Sequence, residues 1–529
     1  NMADDKKKSQ VNPEVDKVIK IPKSWYQQPH RKKMRFFIPE WDDRVEPDYI
    51  FDGDRKPHGQ SAWNNTVYAH QLYDTPNYDG ILVSKVIAEK GEHKRQMVNE
   101  LGIHRFLRVP REFPVFGDCG AFDYITKDAP PFTTDEMLNY YSRLDFDYGV
   151  SLDHLILDSH DKPTRDFRYK LTIDNAKDFI KGHKKLKCGW VAVGAVQGWD
   201  PQSYAEAAKK IVEMGYRYIA LGGLVRSKTN TIVEILKAVR ELIPDDIDIH
   251  MFGVARLDAI PLFVKYGVTS VDSASQLRTA WLGSKKNYST KERWYSAIRI
   301  PQTDNSFRIT QLIDEGAISL DEVKRLEKNC LSGLRQYAKS TAPPSKTVIE
   351  NLVSYDTLVS PTRKHSVGRI KEVLIDMDSH SSVDADNWYI EWIKPQTEKR
   401  FQRIKEKTIS NGDISASKLA SQESICFKGI KQYLKNKQEG DEPSNQLINR
   451  IFEYEYTVHG YRGNAKNRIY DTLINRPWED ETCRISQDAG VEAIIFRGNN
   501  RNRRRGFHNI YVFYKMFKEY VNNFNKYLE

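Results

Sequence analysis

The alternation of strand-like and helix-like segments between residues 190 and 272 constrains the fold of this chain more than any other feature. Apolar, β-branched runs typical of buried strands occupy residues 190–196, 217–221, 247–252 and 268–271. Apolar stripes at helical spacing lie between them. Strand, helix and strand recurring at about 20 to 30 residues indicates βαβ units with parallel pairing. The pattern therefore predicts an α/β fold, a (β/α)8 TIM-like barrel, with an open doubly wound sheet as the alternative.

The helix after residue 200 is the best defined of the series. Asp200 is a favoured N-cap residue, and Pro201 stands at the first helical position. Apolar residues then recur on one face, and a glycine is placed to end the helix: Tyr204, Ala207, Ala208, Ile211, Val212 and Gly215. Further upstream, residues 81–88 have the composition of a first strand.

The length of 529 residues exceeds what one hydrophobic core usually supports, so more than one domain is expected. We predict a basic N-terminal arm at 1–35, a barrel at 36–340 and a mainly helical, basic C-terminal region at 341–529. Within that last region, residues 490–496 have a strand-like pattern. The net charge of +10 favours a polyanionic partner only weakly.

Composition excludes several protein classes. The chain is 39% apolar and 29% charged, and it holds no run of 18 apolar residues, so a membrane protein is not expected. The five cysteines form no CxxC pair, which predicts a cytoplasmic protein without a disulfide framework.

Three carboxylates, Asp118, Asp153 and Asp272, stand where short apolar runs end and polar turns begin. Catalytic groups of α/β barrels usually occupy the carboxyl ends of the strands, so these acids are expected to share one pocket. The structural alternative is that each caps a helix or a turn, as Asp often does.

Glycine and amide residues follow the neighbouring strands. Gln197 follows one strand, Gly222 and Gly223 the next, and Gly253 the one after. Glycines allow a flat ligand to approach the backbone, although tight turns would explain any single one of them. Phe122 is placed to stack on such a ligand, or else to lie in the core. The set suits a purine-like base whose sugar a carboxylate attacks at the anomeric carbon.

Several motifs resemble those of the tRNA-guanine transglycosylases, in order and spacing. Residues 117–122 are similar to the aspartate-small-Gly-Gly-aromatic motif, with Ala121 at the second glycine, and residues 196–198 to VQG. Residues 222–225 are similar to GGLAVG and residues 251–254 to MGVG. The arginine-rich run at 494–509 resembles the branch that inserts 7-deazaguanines into DNA.

The resemblance implies a reaction and a role for each residue. Guanine in DNA would be exchanged for a 7-deazaguanine free base, with 7-cyano-7-deazaguanine favoured, and bacterial systems of this kind often include an ATPase partner protein. Asp272 would be the nucleophile and Asp118 the proton-handling group. Exchange at a glycosidic nitrogen needs no redox cofactor, so none is expected. The residues implied in base binding are Asp153, Gln197, Gly222, Gly223, Leu224, Gly253 and Phe122.

The C-terminal region departs from the family at its zinc site. The positions matching the zinc ligands are Glu481, Cys483, Ser486 and His508, so one thiol of three is present. We therefore predict no metal. The nearby arginines are predicted to contact phosphate rather than to form a solvated face: Arg497, Arg501, Arg503, Arg504 and Arg505.

Three rival functions stay open from the sequence. The same exchange on tRNA is the nearest rival. A barrel hydrolase or aldolase would use Gly222 and Gly223 as a phosphate loop, although no lysine stands at a strand end as a Schiff-base candidate. The third rival is a non-catalytic nucleic-acid-binding scaffold.

Overall fold

The computed structural model describes residues 17–21, 34–56, 63–283, 285–314, 318–359, 428 and 461–528. They divide into two compact units, the first comprising Asn1–Ala280 with Gly506–Glu529 and the second Trp281–Arg505. The boundaries of these units differ from the predicted boundary at 340. Most of the predicted arm at 1–35, and most of residues 360–460, lie outside the described residues.

The first unit contains a closed barrel of eight parallel strands. These are β1 Arg35–Pro39, β2 Gly80–Ser84, β3 Val115–Asp118, β4 Tyr148–Val150, β5 Val191–Val196, β6 Tyr218–Leu221, β7 Asp248–Met251 and β8 Val268–Asp272. Consecutive strands are paired, and β8 pairs with β1, where Phe37 lies opposite Asp272. The predicted barrel is thus confirmed over the alternative of an open sheet.

Side chains fill the barrel interior. Successive residues of a strand point to opposite faces, so every second side chain enters the barrel. The buried cluster consists of Phe37, Leu82, Phe116, Tyr148, Val150, Val193, Ala195, Tyr218 and Ala220. The aromatic rings are in edge or stacked contact, with the Phe116 and Tyr148 centroids 5.5 Å apart. This filling makes the barrel a packed core that opens only at its ends.

Helices follow most of the strands. They are α1 Glu92–Leu101, α2 Thr134–Leu144, α3 Lys162–Lys185, α4 Pro201–Glu213, α5 Thr229–Leu242, α6 Ile260–Lys265 and α7 Ser275–Leu282. Shorter turns of helix are Ala69–Leu72, Lys85–Ala88, Ile103–Phe106, Ala121–Tyr124 and Leu257–Ala259. Two short strands, Arg44–Val45 and Val67–Tyr68, pair antiparallel beside the barrel.

Helix α4 has the predicted start and face. The Asp200 side chain accepts a hydrogen bond from the Ser203 amide at 2.7 Å, and Pro201 is the first helical residue. Tyr204 and Ile211 are buried as expected, whereas Val212 is only partly covered.

The predicted first strand at 81–88 is wrong in two respects. Strand β2 stops at Ser84 and the chain continues as a short helix, while the first barrel strand is β1, which the sequence pattern did not single out. The helical turn is stabilised by Lys85, whose Nζ lies 2.5 Å from Glu89 and 4.5 Å from the centroid of Tyr140. The ion pair with Glu89 needs the i, i+4 spacing of a helix.

The second unit is mainly helical in its described part, as predicted. Its helices are α8 Phe307–Asp314, α9 Leu320–Ala338, α10 Lys346–Leu358, α11 Tyr461–Asn475 and α12 Arg484–Ala489, and α13 Gly498–Asn522 begins in it. Tyr288–Ser289 pairs with Trp294–Tyr295, and Ile298–Arg299 with Ile495–Phe496. The strand-like run at 490–496 is a 3-10 helix, Gly490–Ile494, followed by a strand of two residues.

The C-terminal half of α13 belongs to the barrel unit. Phe513 packs edge-on against Phe36 of β1 at 4.9 Å, and Phe517 contacts the same ring. The Tyr514 hydroxyl donates to Asp79 Oδ1 at 2.6 Å, and Lys518 pairs with the same oxygen. A short 3-10 helix, Phe524–Tyr527, follows. This packing explains why Gly506–Glu529 belongs to the barrel unit: the chain returns to cover β1.

No helix in the described ranges combines the length and the apolar character needed to cross a membrane. Cys119, Cys188, Cys330 and Cys483 are free thiols, and Cys426 lies outside the described residues.

Candidate active site

The barrel brings the three predicted carboxylates to one face. Asp118 ends β3, Asp272 ends β8, and Asp153 follows β4. Because the strands are parallel, their carboxyl ends open on the same side of the barrel. The strand ends therefore place the three groups at one site, and the charges of Asp153 and Asp272 both raise the pKa of Asp118.

Asp118 is the carboxyl group whose protonation the site changes most clearly. Burial raises its pKa to about 7, and the charges of Asp153 and Asp272 add to the increase. Hydrogen bonds from Ser84 Oγ at 2.8 Å and from the Gly120 amide at 3.2 Å act in the opposite direction. A carboxyl group with a pKa near neutrality can both donate and accept a proton at physiological pH.

Asp153 is buried and held by neighbouring side chains. Gln197 Nε2 donates to its Oδ2 at 2.6 Å, and the Cys119 thiol donates to its Oδ1 at 3.3 Å. The Tyr124 hydroxyl donates to the Asp153 carbonyl at 3.0 Å. Burial raises the pKa of Asp153, while the bonds from Gln197 and Cys119 lower it. Gln197 Oε1 is buried without a hydrogen-bond partner among the described residues. It is therefore available to accept a hydrogen bond from a ligand.

The backbone at Gly222 and Gly223 lies against the Gln197 amide. A Cβ on Gly222 would overlap Gln197 Nε2, and one on Gly223 would lie 3.0 Å from Gln197 Oε1. The Tyr204 hydroxyl fixes this segment by donating to the Gly222 carbonyl at 2.7 Å. Leu224, the next residue, is buried. Only glycine leaves room for the Gln197 amide here.

Asp272 is 6% exposed and has two unequal oxygens. Oδ1 accepts hydrogen bonds from the Gly253 amide at 2.9 Å and from His250 Nε2 at 3.0 Å. Gly253 has a φ of +69°, a conformation that favours glycine and turns its N–H towards the carboxylate. Both donors bind Oδ1, and among the described residues no donor is found for Oδ2. One oxygen is therefore fixed and the other is available for reaction.

Phe122 presents an aromatic face at the rim of the site. It is 58% exposed and belongs to the 3-10 turn Ala121–Tyr124 that follows Asp118. A core position, the alternative drawn from the sequence, is therefore wrong. An exposed ring beside a pocket is available to cover a planar ligand.

Sequence reasoning missed the polar residues behind Asp272. His250 on β7 lies in register with Ser270 on β8, and both are fully buried in the barrel interior. Ser270 and Asp272 are two residues apart, so they share one face of the strand. A polar residue at every second position of an otherwise apolar strand was the signal that would have found them.

Four of the five arginines predicted to contact phosphate are buried inside the protein. Arg501 is fully buried and donates to Glu492 at 2.8 Å. Arg497 donates to Glu327 at 2.6 Å and to the Ile300 carbonyl at 3.0 Å.

The next two arginines are buried in the same way. Arg505 donates to the carbonyls of Ala493 and Ile495, and Arg504 donates to Asn500. Arg503 differs from the other four in being partly exposed. Guanidinium groups committed to internal acceptors are not free to neutralise phosphate, so the expectation of phosphate contact is corrected for Arg497, Arg501, Arg504 and Arg505.

The residues at the positions of the family's zinc ligands do not fit a zinc site. Cys483 is buried, Glu481 is exposed, and Ser486 Oγ lies 3.3 Å from the Tyr288 hydroxyl. His508 is buried in the other compact unit. One thiol and a hydroxyl engaged with tyrosine do not make a tetrahedral thiolate set. Across the described ranges, no group of three or more His, Cys, Asp or Glu residues is arranged to hold a metal ion.

Comparison with known proteins agrees with the geometry of the barrel. Residues 57–285 match the sequence model of the queuine tRNA-ribosyltransferase family. The chain is similar to the DNA-guanine transglycosylase of Salmonella montevideo, with 29% identity over 501 residues, 91% of this chain and 96% of that protein.

Two archaeal relatives match over a shorter length. The tRNA-guanine(15) transglycosylase of Thermococcus onnurineus is 26% identical over 200 residues, 37% of this chain and 33% of the relative. That of Pyrobaculum aerophilum is 28% identical over 167 residues, 30% of this chain and 33% of the relative. Residues 57–285 are thus similar to the queuine tRNA-ribosyltransferase family, and this match together with the similarity to a DNA-guanine transglycosylase indicates a guanine-exchanging pentosyltransferase.

Proposed function

We propose that the protein exchanges guanine in DNA for a 7-deazaguanine through a covalent bond between Asp272 and deoxyribose. The observation that carries the proposal is the pairing of two unlike carboxyl groups in one pocket. Asp272 has one oxygen held by two donors and the other without a donor among the described residues, while the pKa of Asp118 is about 7. A nucleophile and a proton-transfer group together are the machinery of retaining glycosyl transfer.

In the first half of the reaction, Asp272 Oδ2 attacks C1′ of the deoxyribose. The C1′–N9 bond breaks, its electron pair goes to N9 of guanine, and protonated Asp118 supplies the proton. Neutral guanine leaves, and an ester joins Asp272 to the sugar. The raised pKa of Asp118 supports this role, because a carboxyl group with the usual pKa of 3.8 would hold little proton at pH 7.

The second half reverses these steps with another base. Asp118, now ionised, accepts the N9 proton of the incoming 7-deazaguanine. The N9 electron pair attacks C1′, the C1′–Oδ2 bond breaks, and its electron pair returns to Asp272. Protons and electrons balance over the cycle, so no redox cofactor or metal is part of the proposal.

The base-binding wall suits the Watson–Crick edge that guanine shares with 7-deazaguanines. That edge presents the N1–H and amino-group donors. The Asp153 carboxylate and the spare acceptor Gln197 Oε1 match them. We assign backbone contact along one side of the base to the Gly222–Leu224 segment and to Gly253, and stacking to Phe122. Position 7 is where the two bases differ, and 7-cyano-7-deazaguanine is the favoured incoming base.

The proposed polymer is DNA, supported by similarity to a DNA-guanine transglycosylase along 91% of the chain. We assign the DNA contact first expected of the buried arginines to Trp41 and Arg278 instead. Trp41, just past β1, is 42% exposed, and the exposed Arg278 guanidinium on α7 lies 5.3 Å from its ring centroid. An aromatic platform with a cation suits one base and one phosphate of a single strand. Duplex DNA would have to open, at a cost of a few kcal/mol.

The remaining parts of the proposal concern the cell. The free thiols of the described cysteines fit the reducing cytoplasm. An ATPase partner is proposed from the family resemblance alone. It would be detected as an exchange rate that rises when the partner is added.

The test supplies 7-cyano-7-deazaguanine with single-stranded DNA, duplex DNA or tRNA, followed by mass analysis of the nucleosides. Wild-type protein is expected to modify DNA and to form a protein–DNA adduct that survives a denaturing gel. Asp272→Asn should abolish both, whereas Asp178→Asn, at an exposed position of α3, should change neither. Incorporation only into tRNA would favour the tRNA rival and refute the DNA assignment. An adduct that persists in Asp272→Asn would refute the proposed nucleophile.

A second experiment tests the contact between Arg278 and DNA. Arg278→Ala should weaken DNA binding and reduce the slope of log affinity against log salt by about one ion. An unchanged slope would show that the strand does not pass Arg278.

A further inference from the structure

We propose that His250 is a positioning residue that fixes Asp272 Oδ1 and stabilises the carboxylate when it leaves the sugar. It acts as the last member of a buried hydrogen-bond chain that also contains Ser270 and Tyr218. The inference rests on the proposed nucleophilic role of Asp272 and deepens it, because it names the groups that set the reactivity of that carboxylate.

The chain of hydrogen bonds runs across three neighbouring strands of the barrel. His250 Nε2 lies 3.0 Å from Asp272 Oδ1, and His250 Nδ1 lies 2.6 Å from Ser270 Oγ. Ser270 Oγ is in turn hydrogen-bonded to the Tyr218 hydroxyl on β6. His250 and Ser270 are fully buried, and Tyr218 is nearly so. Water is therefore not a competing partner for these groups.

The order of donors along the chain follows from chemistry. An ionised Asp272 can only accept, so His250 Nε2 must carry the hydrogen of that bond. His250 Nδ1 is then an acceptor and takes the Ser270 hydroxyl hydrogen. Ser270 Oγ accepts in turn from Tyr218, whose pKa is raised by burial so that the phenol keeps its hydrogen. All the donors point towards the carboxylate, and each bond polarises the next.

Aromatic packing fixes the orientation of the imidazole. The His250 ring stacks on Phe116 with centroids 4.6 Å apart, and the Phe252 and Phe37 rings meet it edge-on at 4.9 and 6.2 Å. This packing directs Nε2 at Asp272 Oδ1, the oxygen that also accepts from the Gly253 amide. The carboxylate of Asp272 is thereby held in one orientation, with Oδ2 free to form the bond to the sugar.

The hydrogen bond contributes most when Asp272 is released. In the ester, Oδ1 is a carbonyl oxygen with little negative charge. As the C1′–Oδ2 bond breaks, charge returns to the carboxylate and is met by donors already in place, the arrangement that lowers barriers in oxyanion holes. Loss of the His250 donor should therefore slow release of the sugar more than formation of the adduct.

Two substitutions of His250 test this role, one that removes the N–H donor to Asp272 and one that keeps it. His250→Met keeps the approximate volume and removes the donor, whereas His250→Gln carries an amide N–H near the position of Nε2. We expect His250→Met to lower kcat by about 10- to 100-fold and to accumulate the covalent adduct. Because release of the sugar is the slowed step, the KM for DNA should fall along with kcat, and kcat/KM for DNA should change little. His250→Gln should recover most of the rate. Ser270→Ala and Tyr218→Phe should give progressively smaller losses.

The readouts separate this role from a structural one and from the proposed function itself. Equal losses in His250→Met and His250→Gln, with parallel drops in the unfolding midpoint, would overturn the inference. So would a His250→Met protein that forms and resolves the adduct at wild-type rates. An absence of adduct in the wild type would overturn the role of Asp272, and this inference with it. Single-turnover adduct kinetics in the wild type therefore come first.

Discussion

Replacing Arg501 with methionine would decide whether the arginine-rich segment supports the second unit or binds phosphate. Arg501 is 0% exposed, and its Nε and Nη2 both lie 2.8 Å from Glu492 Oε2. Arg335 Nε donates to Oε1 of the same carboxylate at 2.6 Å. Glu492 is thus neutralised by two arginines, one of them without access to water.

The expected loss follows from these contacts. Removing one partner of a buried ion pair typically costs about 3–5 kcal/mol, because the remaining charge is left uncompensated. Arg335 stays in place and compensates Glu492 in part, so we expect the low end, about 3 kcal/mol. With a urea dependence of about 3 kcal/mol per molar, the unfolding midpoint should fall by about 1 M.

The assay is urea unfolding followed by circular dichroism, together with DNA affinity as a function of salt. Arg503→Met, two residues along the same helix and partly exposed, is the matched control and should change stability by less than about 0.5 kcal/mol. Combining Arg501→Met with Glu492→Met should restore part of the loss, since an apolar pair often replaces a buried ion pair without cost. An unchanged midpoint in Arg501→Met, with weaker and less salt-dependent DNA binding, would refute the structural role.

Three further predictions concern the site and the metal. The pKa of Asp118 is about 7 in the folded protein and 3.8 ordinarily, so the folded state binds a proton more tightly and its stability falls as pH rises from about 4 to 7. Asp118→Asn should make the urea midpoint less dependent on pH over this range. In single-turnover experiments, guanine release by the wild type should slow above about pH 7, where Asp118 loses its proton. Gly222→Ala should raise the KM for the base with little change in DNA affinity, because the added Cβ displaces Gln197 Nε2; unchanged base kinetics would contradict the role of the Gln197 amide in base binding. Dialysis against a chelator should leave the thermal unfolding midpoint unchanged, and a drop that zinc reverses would disprove the absence of a structural metal.

Local patterns in the sequence were sufficient for the main features of the barrel. Strand runs and helix stripes depend on side-chain periodicity, which is visible without any tertiary information. Helix α4 follows this rule, since Asp200 and Pro201 mark its start and alanines its buried face. The grouping of Asp118, Asp153 and Asp272 also followed, because parallel strands place their carboxyl ends on one side.

Features that depend on distant partners were not predictable in the same way. Arg497 is buried because Glu327 and the Ile300 carbonyl accept its hydrogen bonds, and neither is near it in sequence. A run of arginines has the same composition whether it faces water or acceptors inside the protein. The return of α13 to β1 is equally non-local, since Phe513 meets Phe36 only in the folded chain.

The sequence by itself determined the parallel βαβ units and the carboxylates at their strand ends, because side-chain periodicity follows from the order of residues. The pairing of β8 with β1, which closes the barrel, was settled only by the tertiary structure. Only the tertiary structure decided how the proposed nucleophile is held. The register of β7 against β8 sets His250 beside Ser270, and the turn at Gly253 aims a second donor at Asp272. A shift of one residue in that register would turn His250 to the other face of the strand, so the setting of Asp272 depends on pairing between strands rather than on either strand alone.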